Sequence, residues 1–432
     1  MTNKFTVIFV YKPRRRRRVI DVCNMLIVII LLIISVSTAA AQGEFSVINN
    51  LENQNVGICE YDRATNTVKF VPYVDSVNTC GVWFNFGVTG YRRDTVLTFK
   101  TLFAKTVHSP FFPTISNDNI DFQHVRQSGM SGGFVLRITP TADTTYISTG
   151  FPYTYSRLQN LLSEIKTSKN LQIDTLLTLS NNLNVNQLTI TKKPKRKHKK
   201  LVWIICRQHA FESVCNYVME GMIRYLMSES CNQKLLKTHI FKIVPMVDVE
   251  SVYNGQSGRM QMPVDFNRDW DEIPYHHTIR RIEQAIRESA QNYSYSMFWD
   301  VHGMFPGGFV GNSFSYYDLY GNGKKHSNLV NFWHRFARQS GFTPKSVKDT
   351  FNNYDGMTAD WWNEINYGST LQFSTTIEVD WNLNSHGVPY SIDDYLEIGK
   401  WIVKALESSK IVWSKFFRTK TEGNKTPRRN RQ

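Results

Sequence analysis

Residues 201–213 read L-V-W-I-I-C-R-Q-H-A-F-E-S. The first six are continuously apolar, the pattern of a strand buried on both faces of a parallel sheet. From Glu212 to residue 227 the pattern changes to helix periodicity, with Val214, Val218 and Tyr225 near one face. A strand that stops at a short turn and passes into a helix is one half of a β–α unit. His209 and Glu212 lie at that junction, close enough in space to share one ion. Taken alone, such a pair is a weak signal.

The alternation continues outward. Residues 158–165, 276–291, 328–339 and 393–406 read as helices, and 240–247, 296–301 and 374–379 as strands. An alternating series of this kind predicts an α/β fold, a mostly parallel or mixed central sheet with helices on both faces. Ligands collect at the carboxyl ends of strands in such sheets. Two further words end predicted strands, D-V-H-G at 300–303 and T-I-E-V at 376–379, and they supply His302 and Glu378. Zinc held by two imidazoles and one carboxylate keeps a fourth position for water. A separate carboxylate can then take the proton from that water. The expectation is a zinc hydrolase.

Before this region, residues 42–150 show short strand-like runs, V-W-F-N-F-G at 82–87 among them, with no stretch of helix period. A small all-β sandwich domain is expected there, followed by a catalytic domain over 151–417 and a basic disordered tail over 418–432. The hydrophobic content of 41% and aromatic content of 13% support packed cores. Residues 1–41 read as a signal peptide: Lys12 and the arginines 14–18, an apolar run at 25–36, then three alanines at 39–41. The run falls short of the roughly 20 residues that cross a bilayer, which favours cleavage and secretion over a signal anchor and predicts no stable membrane insertion. Export makes a Cys59–Cys80 bridge plausible, with two of Cys206, Cys215 and Cys231 pairing. The sequons at Asn292 and Asn424 fit a secreted glycoprotein. Much of the net charge of +15 lies in K-K-P-K-R-K-H-K-K at 192–200 and in the tail. With no base-stacking aromatics interleaved, the run reads as a solvated loop between two strands and not as a nucleic-acid site.

Arg259 and the word D-F-N-R-D-W at 265–270 supply a further layer. A peptide carboxylate is held well by a planar guanidinium assisted by a side-chain amide, which Asn267 and Arg268 provide. Arg259 is suited to polarising a scissile carbonyl. Read in order, H-A-F-E, G-R, D-F-N-R, D-V-H-G and T-I-E resemble the zinc metallocarboxypeptidase family. With F-P-Y-T-Y-S-R-L-Q at 151–159, they resemble its cytosolic carboxypeptidase branch. The resemblance implies one zinc per chain held by His209, Glu212 and His302, Glu378 as general base and then acid, Arg259 at the oxyanion, and Asn267 with Arg268 on the substrate's terminal carboxylate. It implies peptide or protein carboxyl termini as substrates. It also implies a mobile tyrosine, here Tyr354, and a residue before D-W that helps select the terminal side chain, here the uncharged Ala359. The chain departs from the branch at V-D-V-E-S (247–251), where N-P-D-G is usual, and at M-F-P-G-G (304–308), where a basic stretch is usual. Those departures and the leader argue against tubulin tails as the substrate. Two rival readings are a zinc N-acyl amino-acid amidohydrolase, which shares the carboxylate clamp, and a catalytically silent peptide-binding protein.

Overall fold

The computed structural model describes residues 43–74, 81–102, 112–125, 128–130, 133–192, 199–229, 231, 233–259, 261–271, 273–290, 294–303, 315–320, 323–348, 358, 361–362, 372–381 and 388–407. The leader, the tail, the asparagines of both sequons, Cys80, Tyr354 and Ala359 lie outside the described residues. The described residues from Phe45 onward form one compact unit.

The apolar run opens as the strand Lys200–Cys206, with every residue from Leu201 on buried. It pairs in parallel with His239–Val244 on one side and Ser294–Gly303 on the other. Ser294–Gly303 pairs in parallel with Phe373–Val379. A centre covered on both faces is what a run without alternation encodes. This parallel core is extended at both edges into a mixed sheet of eight strands among the described residues. The hairpin Leu171–Thr178 and Asn184–Ile190 joins His239–Val244 antiparallel, and Ser315–Asp318 joins Phe373–Val379 antiparallel, with Lys345–Lys348 outermost. Of these four edge strands only Asn184–Ile190 was implied, as the flank of the expected basic loop. Leu171–Thr178 contains no buried residue, and Ser315–Asp318 and Lys345–Lys348 have four residues each. Neither property gives a hydrophobic period to read.

Two helices pack tightly on each other beside this sheet, Ser213–Met227 and Ile392–Glu407. Their contact is glycine on backbone: a Cβ on Gly221 would stand 2.1 Å from the Leu396 carbonyl oxygen, and one on Gly399 1.9 Å from that of Val218. The helix Tyr155–Ile165 starts where Thr154 Oγ1 accepts from the Arg157 N–H at 3.1 Å, a side-chain cap for an otherwise orphaned donor.

In the amino-terminal region, the described residues form two five-stranded sheets that share one apolar core containing Val68, Phe70, Phe84, Phe86, Phe99 and Phe134. This region is joined to the rest by polar as well as apolar contact. Asn53 and Asn55 donate to the carbonyls of Val252 and Gly255 at 2.6 and 2.8 Å, and Trp83 meets Trp381 edge-on. Cys206 and Cys215 are buried thiols with sulfurs 3.3 Å apart, and Cys59 and Cys231 are also free.

Candidate active site

The turn after Lys200–Cys206 is made by Arg207, whose φ of 64° lies in the left-handed region, costly for a residue with a side chain. Its buried guanidinium compensates locally: Nε donates to the Ala210 carbonyl at 2.7 Å and Nη1 to Asn216 Oδ1 at 2.6 Å. The turn therefore folds around its own side chain, and His209 and Glu212 are presented together. Glu212 stands at the N-cap of Ser213–Met227 but makes no capping bond with its side chain. That carboxylate is turned to the imidazoles instead. Oε1 meets His209 Nδ1 at 2.8 Å, and Oε2 meets His302 Nδ1 at 2.9 Å and the Gly303 N–H at 3.0 Å.

Behind each imidazole stands another carboxylate. His209 Nε2 donates to Asp265 Oδ1 at 3.0 Å, and His302 Nε2 donates to Asp300 Oδ2 at 2.9 Å. This fixes both rings with Nδ1 toward Glu212, and one ligand atom from each of His209, Glu212 and His302 lies within 4.8 Å of the others. A metal-binding histidine characteristically gives its second N–H to a carboxylate, so the donor set fits zinc. The electrostatics agree. Burial opposes charge on every member, yet Glu212 and Asp265 hold His209 up at about 9, and the imidazoles hold the Glu212 carboxyl well below its usual range. A cluster so rich in carboxylate demands positive charge at its centre, whether from protons or from a cation.

Glu378 is brought in by sheet register: it pairs directly with His302 across neighbouring parallel strands. Burial pushes its carboxyl up to about 7, against the pull of His302, and Arg259 lies near enough to favour the ionised form. A carboxyl balanced near neutrality suits a group that takes a proton and returns it. Gly258, at φ 60°, lets the Arg259 segment pass the ligand turn, because a Cβ there would lie 2.5 Å from the Ala210 nitrogen. Asn267 is buried, with Nδ2 3.3 Å from His302 Nε2, and Arg268 Nη1 donates to the Asn267 carbonyl at 2.8 Å. Of the expected site residues, the structure gathers His209, Glu212, His302 and Glu378, with Arg259, Asn267 and Arg268 beside them. Two carboxylates behind the imidazoles were missed: Asp265 and Asp300. Asp300 was findable, since residues two apart on a strand share a face and D-V-H puts a carboxylate beside the imidazole. Asp265 carried no signal apart from its word.

Among known proteins, the M14 peptidase family model, described as zinc carboxypeptidase, matches residues 166–411. Curated relatives include cytosolic carboxypeptidase 6 of Mus musculus, 26% identical over 370 residues, covering 75% of this chain and 65% of the relative. Cytosolic carboxypeptidase 1 of Mus musculus is 33% identical over 236 residues, covering 44% of this chain and 19% of the relative. The chain thus spans less than two thirds of either relative's length. In structure it is similar to a putative carboxypeptidase from Burkholderia mallei, with TM-score 0.74 and 17% identity over 86% of this chain and 98% of that one. A metallo-carboxypeptidase from Pseudomonas aeruginosa gives TM-score 0.72 at 16% identity, covering 84% and 98%.

Proposed function

The chain belongs to the zinc carboxypeptidase family, and from that premise we propose that it hydrolyses the carboxyl-terminal residue of peptides or proteins. The observation that carries the reading is the pair of inward-facing imidazoles bridged by Glu212, each backed by its own carboxylate. His209, Glu212 and His302 would hold one zinc ion, which when bound acidifies a water and polarises a carbonyl. Glu378 stands next to His302 to accept the proton of the attacking water and later return it to the departing amine. Arg259 stabilises charge developing on the carbonyl oxygen. Asn267 and Arg268 receive the terminal carboxylate, which orients the last peptide bond for attack. The uncharged Ala359 makes no demand for a charged terminal side chain.

We further infer export. The arginine-rich leader and its short apolar run support it, although the curated relatives carry cytosolic names. Among the described residues no helix is long and apolar enough to cross a membrane. Sequencing the amino terminus of protein recovered from a eukaryotic culture medium tests this: a start near Gln42 is expected, and recovery only in membranes with the arginines retained counts against it.

The activity itself is tested with one blocked peptide in free-acid and amidated forms, alongside zinc analysis. Release of the last residue from the free acid, with the amide a poor substrate, is expected. Cleavage of acylated amino acids but of no peptide indicates the amidohydrolase instead. A zinc-loaded protein that cleaves neither is a silent binder.

A further inference from the structure

Gln208 has no role in the reading above, yet its fully buried carboxamide lies where three segments meet. Its Oε1 accepts from the Trp270 indole N–H at 2.8 Å. Its Nε2 donates to Thr358 Oγ1 at 2.8 Å and to Asp300 Oδ2 at 2.9 Å, and lies 3.3 Å from His302 Nε2. The Thr358 hydroxyl donates onward to Asn267 Oδ1 at 2.9 Å, and the Thr358 N–H reaches the same oxygen at 3.2 Å.

An indole N–H can only donate, whereas a carboxamide has an accepting end and a donating end. Trp270 therefore fixes which way Gln208 faces: oxygen to the indole, N–H groups to Thr358 and Asp300. A hydroxyl that accepts from Gln208 has its own proton left for Asn267. Asn267 turns its oxygen to Thr358, as the Thr358 N–H also requires, and its Nδ2 hydrogens are left as donors, with Nδ2 3.3 Å from His302 Nε2. An ionised carboxylate accepts and never donates, so only that end of Asn267 can bind one. The same Gln208 nitrogen supports Asp300, which receives the His302 N–H. One carboxamide thus orders the hydrogen bonds behind the terminal-carboxylate clamp and behind a zinc ligand.

We propose that Gln208 is a positioning residue that, through the Thr358 hydroxyl, reinforces the donor polarity of Asn267, and through it the selection of a free terminal carboxylate. This inference rests on the carboxypeptidase reading. Gln208→Met preserves volume and removes both ends of the relay, and Thr358→Val breaks it one link further on while retaining shape. Each is compared with the parent for kcat and KM on one peptide as free acid and as amide. The same two peptides are then titrated calorimetrically onto the inactive Glu378→Gln protein with and without each change, and zinc content and Tm are recorded. A hydrogen bond to a charged group is worth enough to lower the free-acid preference about tenfold or more when lost. That loss is expected in KM and in calorimetric affinity, with the double variant no worse than either single one; Gln208→Met also lowers Tm, because the Trp270 indole and Asp300 lose their partner, whereas Thr358→Val keeps zinc and Tm near parental values. If Gln208→Met fails to fold, Thr358→Val alone carries the comparison. A parent that prefers the free acid, with variants that keep its preference, overturns this inference and leaves the function standing. A parent with no preference overturns both.

Discussion

At the scale of single residues the site is a charge problem solved by placement. His209 and His302 each stand between two carboxylates, one shared and one private. Removing a private partner leaves the ligand in place but frees its ring, a change that typically costs about 10–100-fold in metal affinity. Asp300→Ala is accordingly expected to weaken zinc binding by that order, whereas His302→Ala abolishes it. Competition against a zinc chelator of known affinity measures the difference, and equal zinc affinity in parent and Asp300→Ala would show that the pairing is incidental. Glu378→Gln is a different experiment, since it keeps shape and metal but removes the base. A drop in kcat of about 10²–10⁴ is expected with zinc stoichiometry unchanged, and near-parental turnover would refute the assigned role. The expected ligands and Glu378 were legible because each word that carries them follows or ends an apolar strand. Gln208 and Thr358 were not, because their roles lie in the direction of hydrogen bonds between segments distant in sequence.

At the scale of elements, two local features make separate predictions. The Gly221–Gly399 crossing admits no Cβ on either helix, because the nearest atoms are backbone oxygens that cannot rotate away. Gly399→Ala is expected to cost at least the roughly 1–3 kcal/mol typical of overpacking, read as a lowered midpoint in denaturant, and a neutral result would mean that the helices separate easily. Glu283, on the helix His277–Ala290, is buried with Oε1 lacking a hydrogen-bond partner among the described residues. Burial pushes its carboxyl up to about 8, against the pull of Arg287, while Asp271 and Asp269 push it further up. The native state therefore holds this proton where the unfolded chain, near the ordinary glutamate value, has released it. The resulting stability is complete below the unfolded value and is lost as pH rises toward 8. Glu283→Gln should match the parent in Tm near pH 4 and exceed it near pH 8, and parallel pH profiles would exclude the effect. The alternating core of β–α units was readable from periodicity. The strands Leu171–Thr178, Ser315–Asp318 and Lys345–Lys348 were not, because a strand with no buried residue and strands of four residues have too little pattern for a period to emerge.

At the scale of the whole molecule, the amino-terminal sheets and the metal site belong to one compact unit beginning at Phe45. The sequence suggests a boundary near residue 150, since strand patterns give way there to β–α alternation. What composition cannot reveal is how much polar contact crosses it. The last carbonyls of a helix need outside donors, and those at the end of Val249–Asn254 find them in the amino-terminal region. Asn53 Nδ2 donates to Val252 and its backbone N–H to Tyr253, while Asn55 donates to Gly255. Gly255, at φ 72°, is a close approach, for a Cβ there would stand 2.0 Å from the Gln54 carbonyl oxygen. Four residues later the same segment delivers Arg259 to the site. The amino-terminal region thus braces the segment that carries Arg259. Asn53→Ala removes one of two donors to the Val252 carbonyl, which keeps the Gly255 N–H at 3.3 Å, so the loss is that of one net hydrogen bond, about 0.5–1.5 kcal/mol, and it should lower the stability of the whole unit. Calorimetry of the mature protein should accordingly show one unfolding transition, with zinc release coincident with it, and Asn53→Ala should move both together. Two transitions, with the variant shifting only the one not linked to zinc, would show instead that the regions fold independently and that the support for Arg259 is local.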